Sequence, residues 1–139
     1  MNTVLGTAWN DIGKLILRCT VGGLMLFHGI AKMKNGVGWM AGVLADHHLP
    51  FALAYGVYVA EVLAPILLVI GLFTRLAALV IVFDMFMAVV LTKLPKILTV
   101  NMGGGWFAEL EAFYALAALS VFFLGAGRFS IRGGAPRWD

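Results

Sequence analysis

Charged residues and cysteine are both scarce in this sequence, and each shortage excludes a common kind of protein. Asp, Glu, Lys and Arg make up 12% of the 139 residues, whereas about a quarter is usual in soluble domains. Hydrophobic residues reach 62%, and no soluble fold of this size has enough interior to bury so much apolar surface. The main solvent of the chain is therefore expected to be lipid. No polar linker divides the sequence, which predicts one domain over residues 1–139.

The lone Cys19 has no partner for a disulfide or a Cys-x-x-Cys redox pair within one chain. The dithiol chemistry of disulfide-forming membrane oxidoreductases is thereby excluded, and packing is the expected role of this thiol. A cleaved signal peptide is also not expected. The first apolar run contains Arg18 and His28 and lacks a small-residue cleavage site.

Four apolar segments are long enough to cross the hydrocarbon core, which takes roughly 17 to 25 helical residues. They run approximately over residues 12–31, 51–73, 76–92 and 109–127. The predicted fold class is an all-α membrane protein, an antiparallel four-transmembrane-helix bundle. Thr74 and Arg75 are expected to join the second and third spans in a tight hairpin.

The segments outside these spans predict smaller elements. Apolar residues at helical spacing, among them Val4, Leu5 and Trp9, indicate a short interfacial helix before the first span, with a disordered tail as the alternative. The 32–50 connection has similar spacing and lies along the membrane surface or re-enters it. The run from Gly103 to Gly105 predicts a flexible loop, because the Lys and Ser or Thr of a phosphate loop are missing.

The distribution of basic residues gives a weak bias for orientation. With both termini on one side, that side carries Lys14, Arg75, Arg128, Arg132 and Arg137. The other side carries Lys32, Lys34, Lys93 and Lys96. Basic residues favour the cytoplasmic side, so cytoplasmic termini are expected.

Ionisable side chains within the spans are the candidates for function, because a charge in lipid usually faces a partner or a water-filled cavity. A rise of about 1.5 Å per residue sorts them into two layers. The layer nearer the termini holds Arg18 and Asp84, which are expected to form a structural ion pair. The farther layer consists of His28, Lys32, Glu61 and Glu111.

Glu61 is the first candidate among these residues. Small residues repeat every four positions along the second span and predict a surface for close helix packing. They are Ala52, Gly56, Ala60 and Ala64. Glu61 borders this surface, and Pro65 removes the N–H that would bond to the Glu61 carbonyl. Such a local opening favours water or a polar ligand.

The charges of the spans predict a proton-linked site. Three carboxyl groups facing Arg18 alone would leave excess negative charge in a low dielectric. Protonation of a carboxyl, protonation of His28 or recruitment of Lys32 would relieve it. Quinone chemistry and proton-coupled transport both fit. The structural alternative is that these groups bond to one another and fix helix register.

Metal and haem sites are not favoured by the sequence. One intramembrane histidine cannot supply two axial haem ligands. His47 and His48 would need help from Asp46 to bind a metal, but adjacent helical residues point in different directions. The aromatic and Met residues over 83–87 are expected to contact lipid or helices, with a hydrophobic ligand cleft as the alternative.

Several short motifs occur in order along nearly the whole chain. They are Leu17-Arg18, His28-Gly29-x-x-Lys32, Leu49-Pro50, Glu61, Gly71-Leu72-Phe73-Thr74-Arg75 and Gly125-Ala126-Gly127-Arg128-Phe129-Ser130-Ile131. As an ordered set they resemble the DoxX family of small four-helix membrane proteins. The family usually continues the last motif with Asp, whereas this sequence has Arg132.

The resemblance implies an inner-membrane subunit of a redox system, because the family name derives from a subunit associated with thiosulfate oxidation and a terminal quinol oxidase. It implies that Arg18, His28, Lys32, Glu61 and Glu111 bind a quinone head group or another small ligand. Glu61 would exchange a proton, His28 would hydrogen-bond a carbonyl, and Arg18 would set the local potential.

No electron-carrier site is evident in the sequence, so a redox role implies other membrane or peripheral redox subunits as partners. A homo-oligomer is compatible with the sequence, and no nucleic-acid partner is expected. Two other functions stay open: a proton-coupled small-solute carrier and a non-catalytic membrane assembly or scaffold protein. The carrier would need an aqueous path to Glu61 from alternating sides. The scaffold would depend on its packing surface instead.

Overall fold

The computed structural model describes residues 2–131 and 133, and within them the protein is all-helical. Its five helices are α1 (Asn2–Asn35), α2 (Met40–Asp46), α3 (Phe51–Ile70), α4 (Thr74–Lys96) and α5 (Glu109–Leu124). Helices α1, α3 and α4 are long and apolar enough to cross a membrane. Helix α5 is also apolar but has 16 residues.

Helix α1 is continuous over 34 residues, so the separate interfacial helix expected around Trp9 is instead its first turns. No proline interrupts residues 2–35, and the helical hydrogen bonds therefore continue. Trp9 is 71% exposed. The side chains of Val4 and Leu5 lie outside the described residues. The helix ends at Gly36, whose φ of 75° is left-handed, as is common for a terminating glycine.

Helix α3 changes its hydrogen-bonding pattern along its length. It begins as a 3₁₀ segment (Phe51–Tyr55), passes through a π segment (Val59–Leu63) and ends as regular α-helix (Ala64–Ile70). The Ala64 N–H donates to the Val59 carbonyl, five residues back. The wider turn allows two consecutive residues, Ala60 and Glu61, to be buried together.

The irregular turns also change the packing surface expected from the small residues of α3. Ala60 and Ala64 are buried as predicted, but Ala52 and Gly56 are exposed. A strict four-residue repeat assumes a uniform helix, and the 3₁₀ and π segments of α3 break that uniformity.

The turn between α3 and α4 consists of Gly71, Leu72 and Phe73, so it lies three residues before the predicted position at Thr74. Gly71 has φ 73°, and the Leu72 N–H donates to the Leu67 carbonyl (3.0 Å), a pairing that closes a helix end. Thr74 is fully buried in the first turn of α4. Helix α3 therefore ends at Ile70 instead of Phe73.

Helix α1 packs closely on α3 through glycines. A Cβ built on Gly22 would lie 2.8 Å from the Pro65 carbonyl oxygen, and one built on Gly29 would overlap the Glu61 carbonyl. Helix α4 packs mainly on α5. The buried apolar side chains between the four long helices include Val21, Met25, Leu68, Ala78, Ile81, Ala118 and Val121.

Substituting Gly29 with alanine is expected to lower the stability of the fold by about 2 kcal/mol, the typical cost of overpacking. The matched control is Gly23→Ala on the same helix, because no atom lies within 4 Å of a Cβ built there. Alanine favours a helix by about 1 kcal/mol over glycine, so the control should be neutral or more stable. Thermal unfolding in mild detergent, followed by circular dichroism, compares the two variants. Equal midpoints would contradict the close contact with Glu61.

The segment after α5 returns to the first helix. The Arg128 N–H donates to Asp11 Oδ1 (3.3 Å), the Arg18 guanidinium donates to the Phe129 carbonyl, and the Ile131 N–H donates to the Ile70 carbonyl (3.2 Å). The C-terminal motif thereby covers the ends of α1 and α3. Arg132 and Arg137 lie outside the described residues.

The connection from α4 to α5 has internal hydrogen bonds around its glycine run. The Asn101 N–H donates to the Gly105 carbonyl (2.7 Å), and the Phe107 N–H donates to the Thr99 carbonyl (3.1 Å). The Trp106 indole donates to the Ile97 carbonyl. The segment predicted as a flexible loop is a hydrogen-bonded turn in the structure.

Candidate functional site

A cavity of about 450 Å³ lies among the five helices, at the end remote from the start of α1 and the end of α5. It is lined by the C-terminal part of α1, the first half of α3, the second half of α4 and the first turns of α5. Helix α2 contributes Met40, Val43 and Leu44 and covers one side. Most of the wall is apolar, and several of its side chains are the flexible thioethers of methionine.

Helix α2 is held against α4 at this end. The His47 Nε2 donates to the Leu91 carbonyl (3.2 Å). Of the two arrangements open for the 32–50 connection, the structure shows a short helix that packs over the cavity and leaves Trp39 at its rim, 57% exposed.

Six titratable residues line the cavity, and five of them were singled out from the sequence. They are His28, Lys32, Glu61, Asp84, Glu111 and Tyr114. The four residues of the predicted farther layer are thus gathered around one space. The sequence reasoning missed Tyr114, which follows Glu111 by three residues and so shares its helix face.

Glu61 is the most buried ionisable residue of the cavity, with 3% of its surface exposed. Its Oε1 accepts from the Lys32 ammonium group, which spans from α1 to α3. Its Oε2 is buried without a hydrogen-bond partner. Recruitment of Lys32, one of the three remedies expected for the excess negative charge, is therefore the arrangement in the structure.

Asp84 lies beside this ion pair, in electrostatic contact with both Glu61 and Lys32. The sequence placed it in the other layer because α3 was expected to extend to Phe73. With α3 ending at Ile70 and α4 beginning at Thr74, Glu61 and Asp84 are about 14 Å and about 15 Å from the turn at the standard helical rise. The two carboxyl groups therefore have nearly the same depth.

A second ion pair joins α4 and α5 at another wall of the cavity. Lys93 at the end of α4 contacts Glu111 Oε1 at 3.1 Å and donates to the Phe107 carbonyl at 3.1 Å. Glu111 Oε2 is buried without a hydrogen-bond partner. This pair was not predicted, although the sequence places Lys93 and Glu111 at the same membrane face.

His28 and Tyr114 form the wall between α1 and α5. Their rings meet edge to face, with centroids 5.8 Å apart and planes at 89°. Tyr114 is buried, whereas His28 is exposed. Both side chains line the cavity.

Arg18 and Asp84 do not form the predicted ion pair. The ion pairs in the described part of the chain join Lys32 to Glu61 and Lys93 to Glu111. A helical side chain points toward the N-terminus of its helix, which carries the Arg18 guanidinium away from the cavity to the Phe129 carbonyl. Two of its nitrogens, Nε and Nη1, are buried without a partner.

The remaining candidates concern metals and the residues over 83–87. Among the described residues, no group of three or more His, Cys, Asp or Glu is arranged to hold a metal ion. Phe83, Met85 and Met87 line the cavity, so the ligand-cleft alternative matches their position.

Three membrane-length apolar helices around a cavity with buried charges define an integral membrane protein with a space for a small molecule. The chain belongs to the DoxX family, whose family model matches residues 13–94, more than half of the sequence. The match includes the motifs from Leu17-Arg18 to the α3–α4 turn, and the motif after α5 lies beyond it. Searches of curated proteins and of solved structures found no match.

Proposed function

We propose that this protein is a DoxX-type subunit of a redox system in a bacterial-type inner membrane, and that its cavity binds a quinone or a similar small amphiphile. The observation that supports this best is the cavity itself. Its volume of about 450 Å³ is within the usual range of small-molecule sites, roughly 300–1,000 Å³. Apolar walls and a few converging polar groups are also typical of such sites.

The proposal includes a single domain over residues 1–139 in which α5 completes an antiparallel four-helix membrane bundle. Helix α5 packs along α4 and also contacts α1, which is the position of a fourth helix. The segment after it returns to Asp11 and Ile70, so both ends of the described chain meet at one face. We assign that face to the cytoplasm because of its basic residues.

The polar residues of the cavity fit a quinone head group. The Lys32 ammonium, the His28 ring and the Tyr114 hydroxyl are donors for its carbonyl oxygens. The apolar residues of α2 and α4 provide a surface for the ring and the start of a hydrocarbon tail. A bound quinone would supply two-electron chemistry linked to two protons, with electrons coming from partner subunits.

Glu61 is the residue that we propose for proton exchange. It shares its surroundings with Asp84, so two carboxyl groups face one Lys32 ammonium. Burying both as anions is unfavourable, and one proton divided between them removes the excess charge. In this proposal Lys32 orients Glu61, His28 hydrogen-bonds the ligand, and Arg18 secures the C-terminal segment.

Trp39 at the rim of the cavity provides a direct binding assay. In a background with Trp9, Trp106 and Trp138 changed to Phe, ubiquinone-1 is expected to quench Trp39 fluorescence in a saturable manner in mild detergent. Tyr114→Phe should weaken binding by about two- to tenfold, because it removes a hydroxyl donor from the cavity wall and a neutral hydrogen bond is worth about 0.5–1.5 kcal/mol. Glu109→Gln is the matched control, because Glu109 is exposed and outside the cavity.

A cavity-filling variant separates specific binding from partitioning of the probe into detergent. Ala88 lines the cavity, and Ala88→Phe retains every charged group while occupying the space. Saturable quenching should disappear in this variant, with helical content and elution volume unchanged. Equal quenching in the wild type and Ala88→Phe would contradict the proposed ligand site and favour the scaffold function.

A further inference from the structure

Two carboxylate oxygens in the cavity have no hydrogen-bond donor. They are Glu61 Oε2 and Glu111 Oε2, both buried and both on side chains that line the cavity. They belong to different helices, α3 and α5, that line the same cavity. Buried polar atoms in folded proteins nearly always have a partner, so two orphaned acceptors around one space point to a missing donor.

The neighbouring cations do not meet this need. Lys32 contacts Glu61 through Oε1, and Lys93 contacts Glu111 through Oε1 and is also bonded to the Phe107 carbonyl. An ionised carboxylate oxygen can only accept hydrogen bonds. Asp84 can share a proton with Glu61, but in the described part of the chain Lys93 is the one ion-pair partner of Glu111. Glu111 Oε2 is therefore the open acceptor that a ligand must satisfy.

We infer that the cavity selects a ring bearing hydroxyl groups, such as a hydroquinone, over the corresponding quinone, which has only acceptors. This inference rests on the proposed quinone-type site and specifies which redox form that site holds more tightly. A hydroxyl group of the ligand donates to Glu111 Oε2. A quinone carbonyl at the same position would face this carboxylate oxygen and be repelled.

A hydroxyl group suits the site better than an ammonium group, although both are donors. Lys32 and Lys93 already neutralise two of the three cavity carboxylates, and one shared proton neutralises the third. A cationic ligand would add an unpaired charge beside Lys32 in a low dielectric. A neutral diphenol adds donors without adding charge.

The test compares probes that differ in their donors. Tert-butylhydroquinone is titrated under argon against its 1,4-dimethyl ether, which retains the ring and oxygens but has no hydroxyl hydrogen, with Trp39 fluorescence as the readout. We expect the diphenol to bind on the order of tenfold more tightly or better, since it makes hydrogen bonds to charged acceptors. 4-tert-Butylbenzylamine is the cationic arm and is expected to bind more weakly than the diphenol.

Glu111→Gln gives the sharper result. A glutamine can turn its NH₂ group toward the ligand and so offers a donor where the wild type has an acceptor. The preference for the diphenol over the ether should fall toward one, whereas Glu109→Gln should retain the wild-type preference. If Glu111→Gln kept the wild-type preference for the diphenol over the ether, the inference would be overturned. This result does not depend on whether Glu61 variants fold.

The outcomes also distinguish this inference from the proposed function. Equal binding of diphenol and ether in the wild type, blocked by Ala88→Phe, would leave the quinone-type site in place and overturn the selectivity. Tighter binding of the amine would overturn it as well. No saturable binding of any probe, ubiquinone-1 included, would contradict both proposals.

Discussion

Lys32→Met is expected to lower the stability of the fold by about 3 kcal/mol, because it leaves Glu61 buried without its cation. Removing one partner of a buried ion pair usually costs about 3–5 kcal/mol. The lower end of this range applies here, because the Lys32 side chain is 24% exposed, whereas the Glu61 side chain is 4% exposed. The midpoint of thermal unfolding in mild detergent, measured by circular dichroism, should fall by several degrees.

Two further variants isolate the charge. Lys32→Met combined with Glu61→Gln removes both charges and should recover most of the lost stability, because the penalty comes from the unpaired carboxylate. Lys34→Met is the matched control, an exposed lysine in the same last turn of α1, and should change stability by less than about 0.5 kcal/mol. If Lys32→Met behaved like Lys34→Met, the ion pair with Glu61 would not be a stabilising contact.

Sequence reasoning found most of the cavity because charge in lipid is a strong constraint. His28, Lys32, Glu61 and Glu111 each interrupt or border an apolar segment, and counting helical residues places them at similar depth. Their convergence follows from topology alone. In the predicted antiparallel bundle each of them lies at the same end, so no side-chain detail was needed to group them.

The errors came from helix ends and side-chain direction. Asp84 was assigned to the wrong layer because hydropathy does not mark Gly71 as the end of α3, whereas its left-handed φ does. Arg18 was expected to reach Asp84, but its side chain points toward the N-terminus and meets Phe129. Each error displaces a charged group by no more than a few helical turns, and each changes which charges can pair.

Other features depend on contacts between segments that are distant in sequence. The π segment of α3 buries Ala60 and Glu61 together, and nothing in a four-residue repeat indicates it. The same holds for α2, whose spacing predicted a helix but not that Leu44 would cover a cavity. Tyr114 was overlooked because a tyrosine in an apolar helix looks like ordinary core.

The two ends of the protein differ in what their polar side chains contact. At the end that holds the start of α1 and the end of α5, Arg18 and Asp11 are bonded to the backbone after α5. At the other end, Lys32 and Lys93 connect the cavity to the surface, with side chains 24% and 26% exposed. Between the ends lies a buried apolar layer of Val21, Leu68, Ile81, Ala118 and Val121.

This arrangement predicts that the cavity exchanges water and protons with one face of the membrane, the face opposite the termini. An apolar layer without polar groups offers no path for a hydrated ion. Cys19 is the lone native thiol, so a Cys19→Ser background permits a clean test with introduced cysteines. In vesicles, Ala88→Cys in the cavity wall should react with the membrane-impermeant reagent MTSET only when the reagent is added on the side opposite the termini.

Two controls define the sides. Lys14→Cys, near the start of α1, should react only from the side of the termini, and Ala118→Cys, at a fully buried position, should react from neither. Labelling of Ala88→Cys from both sides would contradict the one-sided cavity, because it requires a continuous aqueous path past Ile81 and Val121. Such a path is what alternating access by a carrier demands, whereas a subunit that exchanges protons for a redox partner needs only one opening. The labelling pattern therefore distinguishes the proposed redox role from transport without knowledge of the ligand.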